Sequence, residues 1–354
     1  MKQRLNALLS SLARRIPLRL YPYLLRRPRV DFFYHAVADE PMPHVRWLYP
    51  VVPVEAFEAA LRYLREHFTP VSYAALHAHY VEGAPLPPKA VHLSFDDGFR
   101  QNYEVVRPLL LAYEIPCTFF VVSGWVDNRA MFYRNKVSLC IERLCAEPQA
   151  VEALGDLLPG ERTVEAAIAW LKALRLPDEP VIHQVCERLG VDWEAFLRAY
   201  RPYLTSEQIG EMRAEGFTIG AHSLTHRKLR GLPPEEIERE IAASCRAVGE
   251  ISGQEIVPFS FPHSAFGLDR AHLAAVRARH PFIGLLFDTR GLRRDVDFLL
   301  NRVWAERPLT GEGGPHPLPE VLQQAYAEAW VEELLAFGRR IRRGQGIRSG
   351  GRAS

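Results

Sequence analysis

No apolar run in this chain is long enough to cross a bilayer. Nor is there an excess of one charge. Lys and Arg number 44 against 42 Asp and Glu, a net charge of +2, so no strong field draws the chain to nucleic acid. Five cysteines occur, with no Cys-x-x-Cys pair, and Cys140 and Cys145 stand too far apart for a common zinc knuckle. Reduced, mostly buried thiols in a reducing compartment are the expectation. No solenoid-type repeat is visible. A recognisable export signal is missing too, because the apolar stretch at residues 5–13 is short and ends at Arg14-Arg15. A cytoplasmic location follows as an expectation.

What is present falls into three parts. Residues 1–29 are basic, and Leu5, Leu8, Leu9 and Leu12 form a helical stripe in them. Such a segment either docks on the domain or lies on an anionic membrane face as a peripheral contact. Residues 339–354 are rich in Arg and Gly and read as a basic disordered tail. Between them, residues 30–338 with a chain average of 48% hydrophobic residues suffice for one large α/β domain.

Within that domain, strand-like runs recur at 30–34, 91–95, 118–122, 217–221, 256–261, 283–287 and 298–304. Helical patterns at 55–67, 102–113 and 233–250 separate them, and strands alternating with helices predict a parallel sheet or barrel. Residues 131–216 break the alternation. Helical patterns at 164–174, 181–189, 193–200 and 206–215, with a capping box at Thr205 and Gln208, read as a helical insertion. Such an insertion either walls the cleft or fills space.

Several of these runs end on ionisable residues. His35 follows Tyr34, Asp96-Asp97-Gly98 follows Phe95, His222 follows Ala221, and His263 follows Phe261-Pro262. A parallel barrel gathers all of them at one mouth. Two adjacent carboxylates repel unless a cation sits between them or one is protonated. His222 and His226 are four apart, and a helical turn there would bring both rings to one side. Two imidazoles and a carboxylate form a common ligand set for a catalytic divalent metal. Ser223 or Thr225 could hold a ring or the ligand carboxylate from behind.

Ser94-Phe95-Asp96-Asp97-Gly98 together with His222-Ser223-Leu224-Thr225-His226 resembles the first two motifs of the polysaccharide deacetylases, the NodB-homology domain of carbohydrate esterase family 4. The resemblance covers roughly residues 30–302. It implies a distorted (β/α) barrel with fewer than eight complete units. It also implies Asp96 as general base, with Asp97, His222 and His226 as metal ligands. Zinc suits two nitrogens and one carboxylate, and cobalt, nickel or manganese fit as well. Phe33-Tyr34-His35 looks like the early Tyr-His motif of circularly permuted members, which makes His35 the general acid, with His316 in a Gly/Pro-rich stretch as the weaker choice. Pro258 to His263 resembles the third motif with two departures. Ser260 stands where many members carry an arginine that orients the base. His263 replaces an aromatic, and its backbone N–H could still serve an oxyanion. Arg302 either supplies the missing arginine or pairs at the surface with Glu306 or Asp297. Asp288-Thr289 resembles a fourth motif only loosely.

The function implied is a metal-dependent hydrolase that removes an N-acyl group, foremost N-acetyl, from an amino sugar in a glycan or its precursor. The alternatives are a deformylase or O-deacetylase of a cytoplasmic or lipid-linked sugar, and a catalytically inactive glycan binder. The absent motif-three arginine favours the inactive binder. The complete Asp-Asp and His-x-x-x-His set opposes it. Trp47, Trp125 and Trp304 either stack on sugar rings or pack in the core.

Overall fold

In the computed structural model, residues 12–13, 15–25, 27, 29–309 and 314–342 are described. Their strands are β1 (Arg29–Tyr34), β2 (Thr69–Pro70), β3 (Ala90–Phe95), β4 (Cys117–Val121) and β5 (Thr218–Ala221), then β6 (Val257–Ser260), β7 (Ile283–Asp288), β8 (Leu299–Asn301) and β9 (Val303–Trp304). All pair in parallel, in the order β8-β7-β6-β5-β4-β3-β1-β9, with β2 beside β3. β8 and β9 are successive pieces of one extended run, broken at Arg302. The first piece pairs with β7 and the second with β1, so the sheet nearly closes into a barrel.

Register explains how the mouth is assembled. β1 and β3 pair from Arg29 opposite Ala90 to Tyr34 opposite Phe95, so His35 and Asp96 leave the sheet side by side. β4 and β5 end level at Val121 and Ala221, and the His222 amide then donates to the Val121 carbonyl at 2.9 Å.

Helices cover the outside. The helix Val54–His67 buries Phe57, Ala60, Leu61 and Leu64, an i, i+3, i+4, i+7 stripe. Phe57 meets Tyr34 and Phe95 edge-on, at 5.4 and 5.6 Å between ring centres. Fully burying such a side chain contributes about 2–3 kcal/mol. Arg65 and His67 in its last turn suit the negative end of the helix dipole. The helix Pro234–Ser252 packs on β5 and β6 and stops at Gly253.

The segment between β4 and β5 has helices as its regular elements, joined by short loops, and one isolated bridge ties its Tyr203 back to Phe99, which precedes β4. Its Thr205–Gln208 capping box forms as expected. Val137, Ile141, Leu144, Ile182, Val185 and Leu189 belong to a hydrophobic cluster separate from that beneath the barrel helices. The helix Tyr133–Ala146, which the sequence pattern did not reveal, belongs to this segment.

Of the N-terminal stripe, Leu5, Leu8 and Leu9 lie outside the described residues, and Leu12 is half exposed. The described part docks on the last helix, Leu318–Arg342, through a Tyr21–Tyr326 stack at 5.3 Å and an Arg27–Glu333 ion pair at 2.7 Å. That helix runs past residue 339, where the tail was expected to begin, and residues 343–354 lie outside the described residues. No helix among the described residues is long and apolar enough to cross a membrane.

Candidate active site and metal centre

At the mouth, β3 hands the chain to Asp96 and Asp97, and Gly98 turns it away at a φ of +69°. A Cβ on Gly98 would lie 3.0 Å from Val121 Cγ1, so a larger residue has neither the backbone freedom nor the room. Asp97, Ser223, His226 and His263 also adopt positive φ, between 59° and 72°. Left-handed backbone at non-glycine residues is strained, and at Asp97, His226 and His263 it accompanies side chains that line one cavity.

Asp97, His222 and His226 converge. Each offers a ligand atom within 4.8 Å of the others. Asp97 Oδ1 stands 3.5 Å from His222 Nε2 and 3.1 Å from His226 Nε2. Apart from those two rings, no protein group among the described residues donates to this buried oxygen. Asp97 Oδ2 is taken by the Tyr49 hydroxyl at 2.6 Å, which leaves one oxygen facing the rings. His222 Nδ1 lies 2.9 Å from the Ser260 carbonyl, an arrangement that puts its proton there and leaves Nε2 free to ligate. Burial, only partly opposed by Asp96, lowers the His222 pKa to about 4, so the ring is neutral at pH 7. Burial pushes Asp97 upward, but the charge and hydrogen bond of His226 and the charge of His35, joined in acid by that of His222, outweigh it and hold the carboxyl well below the usual range. A buried orphan carboxylate oxygen facing two imidazole nitrogens fits a divalent cation.

The histidine pair does not converge through a helical turn, contrary to expectation. Residues 222–230 form an irregular loop. Buried Glu240 holds it, accepting from the Leu224 amide at 3.0 Å and from the Thr225 hydroxyl at 3.1 Å. Ser223 Oγ accepts from the His226 amide at 2.9 Å. Ser223 and Thr225 therefore fix backbone, and neither bonds a ring or the ligand carboxylate. The turn is too tight and too polar to continue as a helix.

Asp96 takes a different setting. Arg302 donates to both its oxygens at 2.8 Å, to Ser94 Oγ at 2.9 Å and to Ser260 Oγ at 2.6 Å. The guanidinium is wholly buried and faces the Phe33 ring at 4.5 Å and the Phe120 ring at 5.0 Å. The surface alternative for Arg302 is thereby overturned, because neither Glu306 nor Asp297 touches it. Burial would raise the Asp96 carboxyl, yet the Arg302 charge and hydrogen bonds, aided by His222 and His35, hold it below its ordinary value.

His35 lies on the other side of the cavity, its ring 4.3 Å from that of Tyr49. Nδ1 meets Glu306, which also accepts from the His35 amide at 3.0 Å and from Trp304 Nε1 at 3.1 Å. Burial lowers an imidazole, but Glu306, by charge and hydrogen bond, and the two aspartates overcome it and raise His35 to about 9. His263 lines the same cavity with its ring 5.2 Å from that of His226. Burial lowers it to about 3. Its carbonyl accepts from Thr289 Oγ1 at 2.6 Å, while its N–H has no acceptor among the described residues. His316 sits beside Glu320 and does not line the cavity.

The cavity holds about 280 Å³. Phe132 and Arg134, at the start of the helical insertion, line it, so that segment supplies a wall. Trp304 lines it as well. Trp125 instead packs in the core on Phe132 and Tyr203, and Trp47 bonds Glu142. Sequence reasoning passed over Tyr49 and misjudged Glu306.

A family model described as polysaccharide deacetylase matches residues 83–279, and the chain belongs to that family. The match excludes His35, which follows β1, and Arg302, in the 299–304 run. The chain is 34% identical over 110 residues to a poly-beta-1,6-N-acetyl-D-glucosamine N-deacetylase of Escherichia coli strain K12, which is 27% of this chain and 16% of that protein. It is 27% identical over 82 residues to the protein of the same name from Staphylococcus aureus strain MSSA476, covering 23% and 28% of the two chains. Among solved structures, the Streptococcus pyogenes deacetylase PplD aligns at a TM-score of 0.53 with 16% identity, over 84% of this chain and 97% of that one. IcaB from Ammonifex degensii aligns at 0.51 with 19% identity, over the same shares. At these identities the structural likeness speaks for the fold alone.

Proposed function

We propose that this protein is a metal-dependent hydrolase that removes the N-acetyl group from an amino-sugar residue of a glycan or glycan precursor. One observation carries the reading. Two adjacent carboxylates are held in different ways, Asp97 with one oxygen facing two imidazoles and Asp96 with both oxygens gripped by a buried arginine.

Asp97, His222 and His226 would hold a divalent cation, zinc being the best match to that donor set, and when bound it would supply Lewis acidity and make the attacking water acidic enough for a base as weak as Asp96. Asp96 accepts the water's proton. Arg302 keeps it ionised and fixes its direction. Asp97 is unsuited to that task because Tyr49 and the ligand site occupy its oxygens. The unpartnered His263 N–H is available to the developing oxyanion. His35, kept protonated by Glu306, delivers a proton to the departing amine. An amine leaves poorly without one, and such a donor contributes on the order of 10²–10⁴ in rate.

Asp96→Asn is expected to retain metal and lose turnover, whereas His222→Ala loses the metal. Metal analysis with an acid-release assay on N-acetylated, N-formylated and O-acetylated sugars checks both. Full turnover by Asp96→Asn would overturn the mechanism. Formate or O-acetyl release in preference to N-acetyl release would move the substrate to the alternative classes.

A further inference from the structure

The catalytic cavity has a neighbour. A second cavity of about 460 Å³ shares Thr289 and Trp304 with it, so the two meet over those side chains. Phe266 stands in the wall of the second cavity and is 54% exposed, unusual for a large aromatic. The Arg290 guanidinium, in the same wall, lies 5.1 Å from its ring centre, and that of Arg230, which lines neither cavity, lies 5.2 Å from it.

Charge there is not balanced. Arg307 is matched by Glu328, with both bonds at 3.1 Å, and Arg293 by Glu332. These two glutamates are the carboxylates that line the second cavity, and both are engaged. Arg290 and Arg230 have no carboxylate within 4.0 Å among the described residues, and Asp295, whose charge Arg290 feels, is engaged by Arg270 at 2.9 and 2.8 Å. On the catalytic side, Arg134 reaches only the Tyr133 hydroxyl, at 3.3 Å. Arg134 in the first cavity and Arg290 in the second therefore lack a fixed counter-charge, as does Arg230 beside Phe266, while the catalytic aspartates are committed to Arg302 and to the ligand site.

We propose that the second cavity is a sugar subsite that takes an anionic neighbour of the residue being deacetylated. The ring rests on Trp304, which lines both cavities, and a carboxylate or phosphate on that neighbour pairs with Arg290, with Arg230 adding positive charge beside Phe266. This rests on the deacetylase reading, and it narrows the substrate to an acidic glycan or a phosphate-linked sugar. Aromatic faces suit the apolar side of a pyranose. Unpaired guanidiniums suit carboxylate and phosphate oxygens, to which they donate in pairs.

The test compares three probes: a neutral tetramer of N-acetylglucosamine, a tetrasaccharide of alternating N-acetylglucosamine and glucuronic acid, and N-acetylglucosamine linked to uridine diphosphate. Acetate release gives kcat/KM for the wild type and for Arg290→Gln/Arg230→Gln. Binding to Asp96→Asn is titrated in parallel. The expected result is a preference for one anionic probe over the neutral tetramer on the order of ten-fold, shrinking with added salt and lost in the double variant. Which anionic probe wins tells carboxylate from phosphate. Acetate release without anionic preference, or a preference that survives in the double variant, overturns the subsite and leaves the deacetylase reading standing. Tighter binding of an anionic probe with no acid released from any of the three keeps the subsite and overturns the deacetylase reading.

Discussion

Replacing Arg302 by methionine tests the electrostatics of the site most directly. Methionine approximates the arginine stem and can keep contact with Phe33 and Phe120, so packing changes little and charge changes fully. Asp96 is 1% exposed and loses two 2.8 Å charge-assisted bonds at once. Removing one partner of such a buried pair costs about 3–5 kcal/mol. The sign depends on pH. In the wild type the Asp96 pKa is depressed, so its contribution is present above about pH 3.9 and fades as pH falls through the folded-state value. In the variant, burial prevails and the pKa rises above its ordinary value. Ionised Asp96 then destabilises the fold, and the penalty grows as pH rises. Urea unfolding should show wild type and variant far apart at pH 8 and much closer near pH 3. The acid limb of kcat/KM should move up by a unit or more, since each unit corresponds to about 1.4 kcal/mol. The decisive control is the same substitution in an Asp96→Asn background, where most of the cost should vanish. An equal cost at both pH values, or in both backgrounds, would refute the charge argument and reduce Arg302 to a packing residue.

Two further perturbations probe the flanks of the site. Glu306→Gln removes the group that raises His35 to about 9, so the alkaline limb of the rate profile should fall toward or below about 6.5 with metal content unchanged. The stabilising His35–Glu306 pair is fully present below the unfolded value and is lost as pH rises through about 9, so wild type and variant should converge in urea midpoint by pH 10. Tyr49→Phe deletes the 2.6 Å bond to Asp97 Oδ2 and should weaken metal affinity about 10–100-fold, with turnover at saturating metal changed far less. Competition against a calibrated chelator measures this, and unchanged affinity would show that the tyrosine does not orient the ligand.

The barrel was legible because its main strands are buried on both faces and read as largely apolar runs, broken only by residues such as Asp31, His92 and Ser94, that stop at ionisable residues. That rule placed His35, Asp96, Asp97, His222 and His263 around one cavity. It would also have placed Glu306, two residues beyond Trp304, had it been applied to the last run. Tyr49 gave no signal, since residues 42–52 have neither helical nor strand period and only the fold carries them across the mouth. The helix Tyr133–Ala146 was hidden for a different reason. It buries Asn135, Lys136 and Ser138 beside Val137, Ile141 and Leu144, so no clean apolar stripe remains. The helix Arg270–Arg279 buries only Leu273 and Val276, too few points to define a period. The histidine loop misled because a spacing of four fits a helical face, whereas left-handed turns at Ser223 and His226 bring the rings together instead.

The missing motif-three arginine bears on whether the site is a relic. Ser260 is small, and the space above it is filled by the Arg302 guanidinium, which donates to its hydroxyl at 2.6 Å. An arginine side chain at 260 and one at 302 would compete for the same carboxylate. Arg302 can reach it because the 299–304 run changes partners there. Its N–H goes to the Asp288 carbonyl and its C=O accepts from Gly291, while the next residues pair with β1. The seam of the barrel and the grip on Asp96 are thus one feature. A buried ion pair is weak support for a fold, and an apolar replacement of equal volume is often as stable or more so. A protein that only held glycan would have no physical reason to keep a buried arginine on a carboxylate outside the Asp97, His222 and His226 set. Such a pair is useful where an ionised, fixed proton acceptor is needed beside the cation, and this argues for catalysis over binding alone.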